Sequence, residues 1–226
     1  MQALHARLLA AERRLAALEA QAQAGDTATA ALAVRPTTSG DSAAVAALVA
    51  TCFKDAMAAV PSVKRYMERS LRGFDVRREY GVGQPGHGGR CWVAEGPRGV
   101  VGCVGLKAGG DSSGAGGAGG AGGWEVSHLC VHPSCRGRGL AKALLAALLA
   151  HARAAAYTHT AGHRHGPPPA APLQLHLTVL SDVQRPAWGL YKSVGFHDVG
   201  APVLLAAAAA GHFCKMQHMV RPVEGQ

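Results

Sequence analysis

The sequence predicts an α/β fold in which helices cover both faces of a mixed β-sheet. Short apolar stretches typical of strands alternate with segments whose apolar residues recur at helical spacing. The chain has 226 residues, of which 48% are hydrophobic, and this is enough for one domain with a sizeable core. Because the two kinds of element alternate, we expect the helices to pack on the sheet rather than on one another alone.

The elements are expected in the order β-α-α-β-β-β-α-β-α-β. The first strand ends near Arg35, and a turn leads into a helix whose N-cap is Ser39 or Asp41. The second helix begins at Pro61 and ends before Gly73. The remaining strands are expected at 90–95, 99–108, 124–132, 173–180 and 212–220, and a hairpin joins the first two of these. The remaining helices are expected at 139–155 and 183–194.

The domain is expected to span residues 31–222. Two segments before it and two within it differ from the rest of the chain in composition or pattern. Residues 1–24 have apolar side chains at alternating four- and three-residue steps, which predicts a helix with a narrow apolar seam, followed by a linker at 25–30. We expect that helix to pack on its own domain or to pair weakly with a second copy, forming a homodimer. The glycine-rich residues 109–123 and the histidine- and proline-rich residues 157–172 are expected to be loops, the first of them mobile.

The composition excludes several classes of protein. The formal net charge is +9, and a basic surface attracts nucleic acid, acidic lipids or phosphorylated small molecules. The basic residues are mostly scattered, and aromatic residues make up only 5% of the chain, so we expect a solvated basic surface and no nucleic-acid partner. No apolar run approaches the roughly 20 residues of a membrane helix, and no membrane span is expected.

The cysteines and histidines predict neither disulfides nor a metal site. The six cysteines form no CxxC pair and no regular framework, which indicates reduced thiols in an intracellular, cytoplasmic protein, with organellar import left open. His159, His163 and His165 lie close together in a loop, but no cysteine or carboxylate accompanies them. We therefore expect no bound metal.

The stretch RGRGLA lies where an apolar strand gives way to a helix. The first N–H groups of a helix have no intrahelical partner, and the helix dipole makes that end partly positive. Gly137 and Gly139 can present their amides to a phosphate or pyrophosphate, while Arg136 and Arg138 add positive charge. The spacing matches neither a P-loop nor a dinucleotide-binding GxGxxG turn. The turn is predicted to be a phosphate cradle of another type.

Two motifs resemble those of the GNAT acetyltransferases. Arg136, Gly139 and Ala141 match the family's acetyl-CoA signature, [Q/R]-x-x-G-x-[G/A]. The family's second hallmark, [N/Q]-x-x-A-x-x-x-Y-x-x-x-G-F, is matched by Gln184, Ala187, Tyr191, Gly195 and Phe196. The resemblance covers roughly residues 32–220 and is greatest to the branch containing the cysteine-S-conjugate N-acetyltransferases, although this chain lacks that branch's hydrophobic membrane segment.

The resemblance implies direct transfer of an acetyl group from acetyl-CoA to an amine, which is the acceptor. In that family pattern the hydroxyl of Tyr191 lies beside the CoA sulfur, where it would act as the acid. Glu125 is the candidate base, through a water molecule, and a rim carboxylate in a salt bridge is the alternative role. His128 is the rival base.

The resemblance also implies the residues that bind acetyl-CoA. The candidates on the strand, the turn and the two helices are Leu129, Cys130, Val131, Arg136, Gly137, Arg138, Gly139, Leu140, Ala141 and Gln184. A nucleophilic role for Cys130 or Cys135 is an alternative, although no histidine–carboxylate pair accompanies either thiol in the sequence. The basic residues within 52–83 would cover the acceptor site and suggest an acidic acceptor or only a solvated helix face.

Two other functions are compatible with the same sequence. The first is a non-catalytic module that binds CoA or a nucleotide. The second is RNA binding through the RGRG turn, which predicts an affinity that falls steeply with salt and does not respond to CoA.

Overall fold

The structure, a computed structural model, describes residues 32–59, 61–84, 89–97, 99–108, 123–162, 173–181, 184–206 and 213–223. Within them lies one mixed sheet of eight strands. The strands are β1 (Ala33–Pro36), β2 (Arg90–Gly96), β3 (Gly99–Ala108), β4 (Gly123–Val131), β5 (Gln174–Leu180), β6 (His197–Asp198), β7 (Val203–Ala206) and β8 (Phe213–Pro222). Their order across the sheet is β1-β2-β3-β4-β5-β8-β6, with β7 also paired to β8. The pairing of β4 with β5 is parallel, and the other strand pairs are antiparallel.

Helices pack against the sheet on both faces, as predicted. They are α1 (Ser42–Ala59), α2 (Pro61–Leu71), α3 (Val76–Tyr80), α4 (Leu140–Gly162) and α5 (Arg185–Ser193), with 3-10 turns at Ser39–Asp41 and Pro133–Cys135. On one face, leucines of α4 and aromatic residues of α5 pack in a core with the inward side chains of β2 to β5. On the other face, α1 and α3 pack in a second core with β2, β3 and β4. We call these the α4 face and the α1 face.

Asp41, one of the two N-caps predicted for the first helix, is the residue immediately before α1. The 3-10 turn that leads into α1 has Thr38 as its own N-cap. The carboxylate of Asp41 accepts hydrogen bonds from the Thr38 backbone N–H at 2.7 Å and the Thr38 hydroxyl at 2.8 Å. It also pairs with Arg35 at 2.9 Å, and this guanidinium holds the pKa of Asp41 well below its usual range. Asp41, the third residue of the 3-10 turn, therefore stabilises the turn through these hydrogen bonds.

Several elements differ from the predicted order. Helix α3 was not predicted because it has only five residues, and it depends on local capping by Asp75, whose side chain accepts the Arg77 N–H at 2.7 Å. Helix α4 continues to Gly162, past the predicted end near 155, because alanines favour helix and no breaker precedes that glycine. The short strands β6 and β7 were also not predicted.

Some predictions fall outside the described residues. The N-terminal helix and linker at 1–30, most of the glycine-rich segment at 109–123, and residues 163–172 of the second low-complexity segment are among them. Within the described residues, no helix is long and apolar enough to cross a membrane.

Candidate active site

Strand β4 contains one residue more than β3 at the centre of the sheet. Cys103 pairs with Cys130. Gly105, two positions along β3, pairs with Ser127, which is three positions along β4. The extra residue is accommodated at His128, whose φ of 51° lies in the left-handed region. This β-bulge bends the strand and increases its twist.

The parallel pairing of β4 with β5 ends just before the bulge. Three pairs join Gly123–Glu125 to residues 174–176 of β5. Both strands are described beyond this point, to Val131 and Leu180, yet no further pair joins them. The backbone of β4 after residue 125 therefore faces a gap between the strands, which we call the β4–β5 opening. It contains the predicted strand positions Leu129, Cys130 and Val131.

The RGRG turn follows β4 after the 3-10 turn at Pro133–Cys135. Gly137 and Gly139 have φ values of 77° and 78°, and a Cβ built on either glycine would meet nothing within 4 Å. Both backbones are thus in a conformation that favours glycine, and both are open to the surroundings. The side chain of Arg136 returns to donate from Nε to the Val131 carbonyl at 3.1 Å, and Arg138 is exposed.

Helix α4 begins immediately after these glycines. The Ala143 N–H bonds to the Gly139 carbonyl at 3.1 Å, which closes the first turn. Leu140 is buried in the α4-face core and anchors the turn, while Ala141 is half-buried. The helix end is therefore held rigidly beside the β4–β5 opening, with its first N–H groups directed away from the helix.

Tyr191 lies on the α4 face below the same region. Its side chain is 8% exposed and packs edge-to-face on Phe196, with ring centroids 5.8 Å apart. Burial raises the pKa of the Tyr191 hydroxyl, and the nearby Cys130 thiol raises it further. The hydroxyl therefore stays protonated at neutral pH, and the influence of Cys130 on it is consistent with a position near the post-bulge part of β4.

Gln184 has a structural use that its motif did not indicate. It is the residue before α5, and its Oε1 accepts the Leu180 N–H at 3.2 Å. The backbone N–H of Gln184 also donates to the Leu180 carbonyl at 2.7 Å. These bonds set the turn from β5 into the helix that carries Tyr191.

Glu125 lies at the last position of β4 that pairs with β5, between a lysine and a histidine. Its register partners are Lys107 on β3 and His176 on β5. His176 continues the row to β8, where its Nδ1 lies 3.3 Å from His218 Nε2. Glu125 itself is exposed, so its carboxylate is open to water at the edge of the β4–β5 opening.

The sequence did not reveal a hydrogen-bonded cluster around the bulge. Tyr80, at the end of α3, places its hydroxyl 2.6 Å from His128 Nδ1 and 3.1 Å from Ser127 Oγ. The Tyr80 ring passes over Gly105, where an added Cβ would lie 2.1 Å from a ring atom. Phe74 packs edge-to-face on His128 at 5.4 Å. Gly105 is one of three glycines in β3, so the sequence alone does not mark it as the place of a tyrosine ring.

His128 is held in its neutral form. Burial lowers its pKa to about 4, and the positive charge of Lys107 adds to the shift while Glu79 opposes it. Lys107 and Glu79 themselves form an ion pair at 3.0 Å. Efficient general bases have pKa values near the working pH, so this environment makes His128 a weaker base than an unperturbed histidine.

The predicted nucleophilic thiols are not arranged for that role. Cys130 is 3% exposed, and its contacts with two other thiols raise its pKa. Cys135 is half-buried on the 3-10 turn, with its sulfur 3.7 Å from Ser134 Oγ. The described residues contain no group of three or more histidine, cysteine or acidic side chains that could hold a metal ion, and His163 and His165 lie outside them.

An open groove lies between α1 and α2, within the segment expected to cover the acceptor site. Its volume is about 820 Å³. The apolar residues that line it include Met57 and Leu71. Three basic side chains and one acidic side chain also line it: Lys54, Lys64, Arg72 and Glu68.

Comparison with solved structures identifies the fold. An acetyltransferase of the GNAT family from Staphylococcus aureus superimposes with a TM-score of 0.56 at 14% identity, over 86% of this chain and 100% of that one. The structure of YncA from Salmonella typhimurium, solved with its cofactor acetyl-CoA, gives 0.54 at 17% identity, over 86% and 95%. A ribosomal-protein-alanine N-acetyltransferase from Brucella melitensis gives 0.53 at 19% identity, over 84% and 99%. The protein therefore has the GNAT fold.

Comparison of the sequence with family models identifies the domain. Residues 87–198 match the family described as an acetyltransferase (GNAT) domain. These residues therefore match a GNAT acetyltransferase domain, which supports an acyltransferase enzyme. No match is found among proteins of curated function.

Proposed function

We propose that this protein transfers an acetyl group from acetyl-CoA directly to a primary amine of a small molecule or a protein. The observation that carries the proposal is the β4–β5 opening, which leads from the bulge to the glycine-arginine turn at the start of α4. At one end of the opening, the backbone of β4 can form hydrogen bonds that β5 does not use, and at the other end lies a helix N-terminus. This arrangement suits a long cosubstrate that carries amides and a pyrophosphate.

The residues of the opening and the turn fit the two polar parts of acetyl-CoA. The β5-facing edge of Leu129, Cys130 and Val131, which β5 does not pair with, would bond the pantetheine amides, as an added strand would. The amides at Gly137 and Gly139 would meet the pyrophosphate, since no Cβ blocks the approach. Those of Leu140 and Ala141 would complete the contact, and the guanidinium groups of Arg136 and Arg138 would add charge.

Glu125 is the base in this proposal. The acceptor amine must lose a proton before or as its nitrogen attacks the thioester carbonyl, because an ammonium group has no lone pair. Glu125 is exposed beside the opening, so a bridging water can carry the proton from the amine to its carboxylate. His176 is its register partner on β5 and offers a route for that proton to solvent.

The bulge and Tyr191 would act on the thioester itself. As the C–N bond forms, the carbonyl oxygen gains negative charge, and a backbone N–H of the post-bulge segment can donate to it. The C–S bond then breaks, and the Tyr191 hydroxyl gives its proton to the departing sulfur. The raised pKa of Tyr191 keeps the hydroxyl protonated at neutral pH and also makes it a weaker acid than an ordinary tyrosine, so it gives up its proton only as the thiolate forms.

The first test is calorimetric titration with acetyl-CoA of wild type, Gly139→Asp and Gly139→Asn. Asn and Asp have similar size and both tolerate positive φ, so their difference isolates the added negative charge. We expect micromolar binding by wild type and a further loss of about ten-fold or more in Gly139→Asp relative to Gly139→Asn. Absence of binding by folded wild type, or equal affinity of the two variants, would contradict the proposal.

The second test addresses the chemistry with a panel of primary amines. We expect Tyr191→Phe to lower kcat by roughly 100-fold while acetyl-CoA affinity stays unchanged, because the ring remains and only the proton donor is lost. Glu125→Gln should lower the rate most at low pH, where the amine is most fully protonated. If His128→Asn abolishes turnover and Glu125→Gln does not, His128 is the base.

The groove between α1 and α2 supports an acceptor of acidic character. Lys54, Lys64 and Arg72 outnumber the single Glu68 along it. We expect Lys54→Glu to raise KM for an acidic amine by several-fold with little change for a neutral amine. Arg153→Glu, an exposed change further along α4 and away from the glycine-arginine turn, is the control. Equal effects on the two amines would remove the groove from the acceptor site.

A further inference from the structure

Three cysteine side chains lie close together between α1 and the strands beneath it. Cys103 and Cys130 are register partners on β3 and β4 and belong to the same buried cluster. Cys52, on α1, packs against that cluster, and its Sγ lies 3.4 Å from the carbonyl oxygen of Val131, the residue after Cys130. Cys103 and Cys130 are buried, with 0% and 3% exposure, whereas Cys52 is half-buried. Of the three, Cys52 is the one that a dissolved reagent can reach.

Cys52 also lies next to an arginine. Its Sγ is 3.4 Å from the Val131 carbonyl oxygen, and Arg136 Nε donates to the same oxygen at 3.1 Å. The hydrogen bond with Cys130 and the guanidinium of Arg136 lower the pKa of Cys52 to about 7, although partial burial opposes the shift. About half of this thiol is therefore ionised at neutral pH, and the thiolate is the reactive form.

We propose that Cys52 and Cys130 form a dithiol site that hydroperoxides oxidise, with Cys52 as the attacking thiol and Cys130 as the resolving thiol. The Cys52 thiolate attacks one peroxide oxygen and the O–O bond breaks, which gives a sulfenic acid on Cys52 and releases hydroxide. The sulfur of Cys130 then attacks the sulfenic sulfur, forming the S–S bond and releasing water. The net change is two thiols and one hydrogen peroxide to one disulfide and two waters.

The two thiols are suited to different steps. Cys130 is buried and its pKa is raised, so it meets peroxide poorly, but it already contacts Cys52. Cys135 provides a matched control, because it is also half-buried and near Arg136 in the chain, but its sulfur contacts Ser134 Oγ at 3.7 Å instead of a second thiol.

The first experiment measures reactivity on the full chain, independently of any acetyl transfer. Alkylation by iodoacetamide is followed site by site with peptide mass spectrometry between pH 5 and 9. We expect Cys52 to react roughly ten-fold faster than Cys135 at pH 7, with a midpoint near 7, and Arg136→Gln to shift that midpoint upward. If Cys135 reacts as fast as Cys52, or if Arg136→Gln leaves the midpoint unchanged, the proposal is overturned.

The second experiment tests the chemistry with hydrogen peroxide on wild type, Cys52→Ser, Cys130→Ser and Cys135→Ser, each checked for folding by circular dichroism. Wild type and Cys135→Ser should lose two hydrogens and give a peptide pair linked through Cys52 and Cys130, reversible by a dithiol reductant. Cys130→Ser should stop at a sulfenic acid on Cys52 that a cyclic diketone traps. Cys52→Ser should form neither product. A disulfide elsewhere, or no reaction at Cys52 in folded protein, would refute the proposal.

Discussion

The two faces of the sheet are built differently. The α4 face is filled by leucines, and Leu144, Leu145 and Leu148 have no exposed surface. The α1 face buries polar and ionisable groups among its apolar residues, including the Tyr80–Ser127–His128 cluster and the three thiols. Apart from the buried Tyr191 hydroxyl, the first face is stabilised by apolar packing, whereas the second holds several groups that can donate, accept or be oxidised. Substitutions of the leucines on the α4 face should therefore change stability, and those of the polar groups on the α1 face should also change pH dependence and reactivity.

Leu144→Ala should have the largest effect on folding. The side chain is fully buried and would contact a Cβ added at Gly102 in β3, so its removal leaves a cavity between α4 and the sheet. We expect a loss of about 4 kcal/mol in the free energy of unfolding, measured by urea denaturation. Lys142→Ala, exposed on the same helix, should change it by less than about 0.5 kcal/mol. Similar losses for the two variants would show that the α4 face is loosely packed.

The next effect is acid destabilisation arising from the α1 face. Burial lowers the pKa of His128 to about 4 from its ordinary value of 6.5. The unfolded chain therefore binds a proton below about pH 6.5 that the folded chain refuses until about pH 4. The contribution of neutral His128 to the free energy of unfolding is fully present above pH 6.5. It is lost as the pH falls from 6.5 to about 4, by about 3 kcal/mol in total.

Unfolding free energies measured from pH 7.5 to 4 in wild type and His128→Asn isolate this contribution. Asparagine tolerates the positive φ at this position, so the backbone of the bulge is kept. We expect a shallower pH dependence in the variant. The pKa values of His151, His176 and His218 are also lowered, and these residues contribute to both curves. Identical slopes would mean that His128 is not shielded from water.

Gly105→Ala should disturb the α1 face through Tyr80. The new methyl group would lie 2.1 Å from a Tyr80 ring atom, so the ring must move away from Ser127 and His128. We expect a loss of about 2 kcal/mol in unfolding free energy. Most of that loss should disappear in the Tyr80→Ala background, where the space is empty. Gly189→Ala is the control, because nothing lies within 4 Å of its added Cβ.

The parts of the site that could be predicted from sequence are local in the chain. The RGRG turn places its charges, its glycines and its helix start within a few consecutive residues, and the helix containing Tyr191 likewise carries its own motif. The bulge is different, because the extra residue at His128 is determined by the register of β4 against β3. The contact of Tyr80 with His128 spans 48 positions and requires both that register and the open space above Gly105. No local pattern encodes such a contact.

The smallest expected effect on stability is that of Tyr80→Phe, and it separates the two candidate bases. The substitution removes one hydroxyl that bonds Ser127 and His128, while Phe74 still holds the histidine ring. We expect a loss of about 1 kcal/mol in unfolding free energy, because His128 Nδ1 loses its partner in a largely apolar site. With Glu125 as the base, kcat should stay within about two-fold of wild type and its pH profile should not move. Ser127→Ala is the matched control, because it leaves the 2.6 Å contact between Tyr80 and His128 in place. A ten-fold or greater fall in kcat for Tyr80→Phe alone would make Tyr80 the positioning residue of a histidine base and move the proton transfer from the exposed edge of β4 into the bulge.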